Sequence, residues 1–141
     1  MLDIISHGAI TELRLNRPPV NALDHQLLSG LHRAFDEAVA AGTHGIVISG
    51  QSGMFSAGVD VPSLLTLDPD GARAYWREFF ATAAALATSP VPLAAAITGH
   101  SPAGGAVIAL MCDWRVMAEG PYKIGLNEVQ VGLQVPDCIQ L

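Results

Sequence analysis

Residues 99–113, Gly-His-Ser-Pro-Ala-Gly-Gly-Ala-Val-Ile-Ala-Leu-Met-Cys-Asp, run from a turn dense in Gly and Pro straight into an apolar segment of helical length. Backbone N–H groups at such a helix start have no partner within the helix and stand at the positive end of its dipole. They can therefore hold negative charge developing on an oxygen. Gly53-Met54-Phe55-Ser56-Ala57-Gly58-Val59-Asp60 is a second turn of the same character. Two such turns in one small domain suggest a two-donor oxyanion hole. Taken alone, Gly104 and Gly105 equally suit close packing of a helix.

Few side chains near these turns could do acid–base chemistry. Glu128 follows Gly125-Leu126-Asn127 in an apolar setting, with Ile124 before it and Val129, Val131 and Leu133 after it. Desolvation there would raise the carboxyl pKa and make a better base near neutral pH. A helix-capping or surface glutamate fits the same local sequence. Asp60 and Asp113 are expected to hold loops by accepting backbone hydrogen bonds. The 5 histidines show no pairing at metal-ligand spacing, and no metal site is expected. His100, beside the glycines, reads as a turn filler. Ser56 and Ser101 lie in the turns, yet neither is surrounded by the G-x-S-x-G elbow of a serine nucleophile.

The elements that must position these groups alternate between strand and helix. Segments 2–6 and 10–15 read as strands joined at His7-Gly8. From the N-cap Asp24, Leu27, Leu28, Leu31, Phe35, Ala38 and Val39 recur at helical spacing until Gly42. Residues 45–50 have the length and β-branching of a buried strand. A helix is expected over 71–88, a strand over 93–98, the helix of 103–112, a strand over 114–118 and a short one over 122–124. This order implies an α/β fold with parallel crossovers, whose turns gather at one edge, where such proteins place their clefts.

Composition narrows the partners. Half the residues are hydrophobic, 14% are charged, and 14 glycines and 9 prolines punctuate the chain, as in a compact globular protein with many turns. A net charge of −6 with 7 Lys and Arg argues against nucleic acid or an anionic membrane surface. The longest apolar stretches fall short of the ~20 residues that cross a bilayer, and Met1-Leu2-Asp3 does not open a signal peptide. Cys112 and Cys138 are expected to be buried thiols of a reducing compartment.

Three motifs in order, Asn16-Arg17-Pro18-Pro19-Val20-Asn21-Ala22-Leu23, Phe55-Ser56-Ala57-Gly58-Val59-Asp60 and Gly99-His100-Ser101-Pro102-Ala103-Gly104-Gly105, resemble the crotonase (enoyl-CoA hydratase/isomerase) superfamily. Within it, Ser101-Pro102-Ala103-Gly104-Gly105 and Ile124-Gly125-Leu126-Asn127-Glu128 look most like the Δ3,Δ2-enoyl-CoA (dodecenoyl-CoA) isomerases. The resemblance implies a crotonase-like ββα spiral over residues 1–141 that binds an acyl-CoA thioester, with no cofactor beyond the CoA carried by the substrate. It makes the Val59 and Gly104 N–H groups the oxyanion hole, Glu128 the catalytic base, and Ala57, Gly58, Val59, Asp60, Val61, Gly104 and Asn127 the substrate and CoA contacts. Hydratases of the superfamily carry a glutamate three residues after the second-donor glycine, where this chain has Val107. A single base suits a 1,3-shift of a double bond better than addition of water, so the expected reaction is conversion of a 3-enoyl-CoA to a 2-trans-enoyl-CoA in fatty acid β-oxidation.

Two alternatives stay open: another crotonase-type enzyme, such as a hydratase or lyase, and an inactive CoA-binding or oligomer-forming module. Members of the superfamily usually run to nearly twice this length, so a truncated chain lacking C-terminal helices is expected. The same resemblance implies a homo-oligomer, a trimer or hexamer, in the bacterial cytoplasm or the mitochondrial matrix.

Overall fold

The computed structural model describes residues 1–132 and 134–140, with the backbone alone at 131, 138 and 140. Strands β1 (Leu2–His7) and β2 (Ile10–Leu15) form an antiparallel hairpin that turns through Gly8. Helix α1 (His25–Ala40) starts where Asp24 accepts the Leu27 N–H at 2.7 Å. Its stripe of Leu27, Leu28, Leu31, Ala34, Phe35 and Ala38 is buried.

The remaining chain repeats one pattern. Strand β3 (Gly45–Ser49) leads into the short strand β4 (Gly53–Met54) and then helices α2 (Val61–Leu64) and α3 (Pro69–Ala87). Strand β5 (Leu93–Ile97) leads into β6 (Gly99–Pro102) and helix α4 (Gly104–Leu110). Strand β7 (Trp114–Met117) leads into β8 (Ile124–Gly125), a 3-10 turn (Glu128–Val131) and α5 (Asp137–Gln140). The first strand of each unit joins a five-stranded sheet, in order β1-β2-β3-β5-β7, and the second joins a three-stranded sheet, β4-β6-β8. All pairings except β1 with β2 are parallel. This is the ββα spiral that the motifs imply.

The core lies between one face of the large sheet and the helices. Leu13, Leu15, Ile46, Ile48, Leu93, Ala95 and Ile97 meet Leu27, Leu31, Phe35, Phe79, Leu86 and Ile108 there. His32 on α1 reaches Glu78 on α3 at 3.1 Å, tying the helices at their rim.

Several boundaries differ from the sequence expectation. Helix α3 begins at Pro69 rather than residue 71, because Asp68 caps it through the Gly71 N–H at 2.7 Å and proline suits the first helical turn. Residues 99–102, expected as a turn, are strand β6, paired to β4 on one side and β8 on the other. A Cβ on Gly99 would stand 1.9 Å from the Gly53 carbonyl carbon, so that pairing needs glycine. The strand expected over 122–124 is displaced to β8. Cys112 is buried against the Ile108 carbonyl, and burial pushes its thiol pKa up to about 12. The Cys138 side chain lies outside the described residues. Among the described residues no helix is long and apolar enough to cross a membrane, and no three His, Cys, Asp or Glu side chains cluster as metal ligands would.

Candidate active site

Val59, the expected first donor, is held by its neighbours. Leu23 donates its N–H to the Gly58 carbonyl at 2.7 Å and accepts the Asp60 N–H at 3.2 Å, so the chain is fixed on both sides of Val59. The Val59 N–H itself has no acceptor among the described residues. Tyr75 on α3 donates its hydroxyl to the same Leu23 carbonyl at 2.7 Å, and burial beside Asp60 and Asp24 keeps that phenol protonated.

Beneath this loop, the fully buried Asn21, at φ 50, donates to the Leu15 and Phe55 carbonyls at 3.1 and 3.0 Å. Ser56 donates to the Asn21 carbonyl at 2.7 Å and accepts the Gly58 N–H at 3.1 Å. The motif from Asn16 to Leu23 is thus a brace for the turn that carries Val59.

Gly104, the expected second donor, is the first residue of α4. Its predecessor Ala103 is at φ 49, ψ −123, a conformation that costs a non-glycine residue about 1–3 kcal/mol. It is held there by its N–H bond to the Gly125 carbonyl at 2.8 Å. The two donors are neighbours: a Cβ on Gly58 would stand 2.8 Å from the Gly104 nitrogen, and one on Gly104 3.3 Å from the Val59 nitrogen. Gly58, at φ 84, is required both for its conformation and for this approach.

Val59 and Gly104 both line a cavity of about 330 Å³. Ala57, Val59 and Val61 line one side, Ala103, Gly104 and Val107 another, and Asn127, Glu128, Gln134, Pro136 and Ile139 a third. The last wall is aromatic: Trp76, Phe79 and Phe80 of α3, with Trp76 and Phe80 stacked at 6.0 Å. Glu128 Oε2 and Asn127 Oδ1 are buried in this region without a hydrogen-bond partner among the described residues. Two neighbouring N–H groups at a cavity can polarise a carbonyl oxygen, and one carboxylate in the same apolar cavity can take a proton made acidic by that polarisation.

The structure therefore brings together Ala57, Val59, Val61, Gly104, Asn127 and Glu128. Gly58 and Asp60 stand apart from the cavity lining. Gly58 faces Gly104, and Asp60 turns away to accept the Ser63 N–H at 3.1 Å and to pair with Arg17 at 2.8 Å. Asp113 accepts a backbone hydrogen bond as expected, from the Leu93 N–H at 2.8 Å, whereas His100, expected to fill a turn, lies in strand β6 and accepts the Lys123 N–H at 3.1 Å.

The apolar setting of Glu128 comes in part from residues distant in sequence. Ile124 and Val129 are exposed, Leu133 lies outside the described residues, as does the Val131 side chain, and the apolar surroundings come from α3 and α4 across the cavity. The sequence reading did not single out Trp76, Phe79 or Phe80. Their i, i+3, i+4 spacing marks one face of a helix, but an ordinary core stripe has the same spacing.

Comparison with known proteins agrees with this fold. The enoyl-CoA hydratase/isomerase family model covers residues 6–141. The chain is 35% identical over 132 residues to the mitochondrial enoyl-CoA delta isomerase 1 of Mus musculus, covering 92% of this chain and 46% of that one. It is 34% identical over 139 residues to a probable enoyl-CoA hydratase of Mycobacterium avium, covering 92% and 52%. The crystal structure of human mitochondrial delta3-delta2-enoyl-CoA isomerase superposes with a TM-score of 0.91 at 32% identity, over 96% of this chain and 54% of that one. The chain thus spans about half the length of the curated relatives it matches. Its fold is the crotonase spiral, and the chain belongs to the enoyl-CoA hydratase/isomerase family.

Proposed function

We propose that the protein is an acyl-CoA double-bond isomerase of fatty acid β-oxidation that converts a 3-enoyl-CoA to the 2-trans-enoyl-CoA. The thioester oxygen accepts hydrogen bonds from the Val59 and Gly104 N–H groups. Glu128 removes a proton from C2, the electron pair spreads through the dienolate to C4 and the held oxygen, and the protonated Glu128 returns the proton to C4. No atom is gained or lost, and the reaction needs no cofactor beyond the CoA of the substrate.

The observation that carries this reading is the carboxylate inventory. Among the described residues that line the cavity Glu128 is the one carboxylate, and Val107 is there as an apolar wall. Addition of water is helped by two acid–base groups flanking the water, whereas a 1,3-shift is completed by one base moving between two carbons of one face.

In this reading Ala57, Val59 and Val61 line the path of the CoA arm, and Asn127 contacts the substrate beside Glu128. A homo-oligomer in a reducing compartment, bacterial cytoplasm or mitochondrial matrix, belongs to the same reading. Exposed Trp114 and Val116 on the large sheet, at 69% and 61%, support association.

Hydration of a 2-enoyl-CoA is the second reading, favoured by the hydratase-named relative. The two separate on product. The conjugated thioester absorbance should rise when the protein is given a 3-enoyl-CoA and stay constant when it is given a 2-enoyl-CoA. Loss of that absorbance with the 2-enoyl-CoA supports hydration, and tight CoA binding with no turnover of either supports an inactive module.

A further inference from the structure

The Val59 loop carries a device that lies outside the cavity. Arg17 follows β2 and is about a quarter exposed, and every nitrogen of its guanidinium is engaged. Nε pairs with Asp24 Oδ2 at 2.9 Å, Nη1 donates to the Ala22 carbonyl at 3.1 Å, and Nη2 pairs with Asp60 Oδ2 at 2.8 Å. Its backbone N–H donates to Asn21 Oδ1 at 2.7 Å. These partners flank the bridge that fixes the first donor: Ala22 precedes Leu23, Asp60 follows Val59, and Leu23 and Val59 are the paired residues between them.

A planar fork can hold three oxygens in a fixed relation, as a point-charged ammonium cannot. Three of its five N–H groups are directed at oxygens of the two loops that meet at this bridge. Its role is geometric.

We propose that Arg17 is a positioning residue for the oxyanion hole, which fixes the Val59 N–H by clamping Ala22 and Asp60 on either side of the Leu23–Val59 bridge. The inference rests on the reading of Val59 and Gly104 as donors to a thioester oxygen. It is independent of whether the bound thioester is then isomerised or hydrated. Asp24 shares the guanidinium but caps α1, so it links Arg17 to the helix rather than to the donor.

The test uses 4-dimethylaminocinnamoyl-CoA, whose absorbance moves to the red when its thioester carbonyl is polarised, with the wild-type protein and the Arg17→Lys, Asp60→Asn and Asp24→Asn variants. Wild type should shift the probe. Arg17→Lys and Asp60→Asn should bind it with most of that shift lost. In turnover, kcat should fall about 10²-fold with KM changed less than about threefold, as when one oxyanion donor is misplaced. Asp24→Asn should lower the melting temperature yet keep the shift. If Arg17→Lys does not fold, the spectrum of Asp60→Asn decides.

A wild-type shift retained in full by Arg17→Lys and Asp60→Asn would overturn the proposal while leaving the oxyanion hole intact. No shift with the wild-type protein would remove the hole itself, and the proposal with it. A shift without turnover of a 3-enoyl-CoA would refute the isomerase reading and leave the Arg17 assignment to be decided by its variants.

Discussion

Replacing Gly58 by alanine perturbs both candidate donors at once. Gly58 sits at φ 84, and a left-handed conformation costs a residue with a Cβ about 1–2 kcal/mol. The new Cβ would also stand 2.8 Å from the Gly104 nitrogen, 2.9 Å from Ala103 Cβ and 3.0 Å from the Pro102 carbonyl oxygen, where ordinary contact begins at 3.4 Å. Relieving the shortest of these contacts separates the two loops by about 0.6 Å. Oxyanion donors act within a window of about 2.7–3.1 Å, so a shift of that size takes one of them out of range. The expected loss is about 10²–10³-fold in kcat, with a total destabilisation of about 2–5 kcal/mol from strain and overpacking together.

Gly53→Ala is the control. Gly53 has φ 83 but nothing within 4 Å of the added carbon, so it shares the strain without the collision. Steady-state turnover of a 3-enoyl-CoA and denaturant unfolding should be measured on both variants. The reasoning is refuted if folded Gly58→Ala keeps a kcat within about threefold of Gly53→Ala.

Two further outcomes follow from ionisation and burial. Burial pushes the Asp60 carboxyl up, but the Ser63 N–H and Arg17 outweigh it and hold the pKa below its ordinary 3.8. Stability from this group is therefore present above that value and lost as pH falls through the lower folded value, so Asp60→Asn should flatten acid unfolding below about pH 4 in a pH series of denaturant midpoints. Glu12 has the same sign, with burial opposed and outweighed by Ser49, His7 and Arg14. Cys112 is 4% exposed with its thiol pushed up to about 12, so iodoacetamide at neutral pH should leave its peptide unmodified in the native protein and alkylate it only on unfolding, as read by peptide mass mapping.

What could be read from the chain depended on how local each cause is. The α1 helix was legible because Asp24, the leucine stripe and Gly42 all act within one segment. The two donor turns were legible because glycines at 58 and 104 mark close backbone approach. Strand β6 reads as a turn in the sequence because its pairing partners, β4 and β8, are too short to announce themselves and lie far away in sequence. The apolar setting of Glu128 is legible only in part: Ile124 and Val129 are exposed, Leu133 and the Val131 side chain lie outside the described residues, and the wall across the cavity comes from α3 and α4, far away in sequence. Arg17 gave no sign of its part in the site, because Asp60 is 43 residues away in sequence and only the folded loop brings the two together.

The most direct measurement compares wild type with Glu128→Gln on a 3-enoyl-CoA and a 2-enoyl-CoA, with far-UV circular dichroism to show that both proteins are folded. Wild type should form the conjugated thioester from the 3-enoyl-CoA and leave the 2-enoyl-CoA unchanged, and Glu128→Gln should lose about 10²–10⁴-fold of that isomerisation. Isomerisation by folded Glu128→Gln at the wild-type rate, or hydration of the 2-enoyl-CoA by wild type faster than isomerisation, would contradict the assignment of Glu128 as the single base of a double-bond shift.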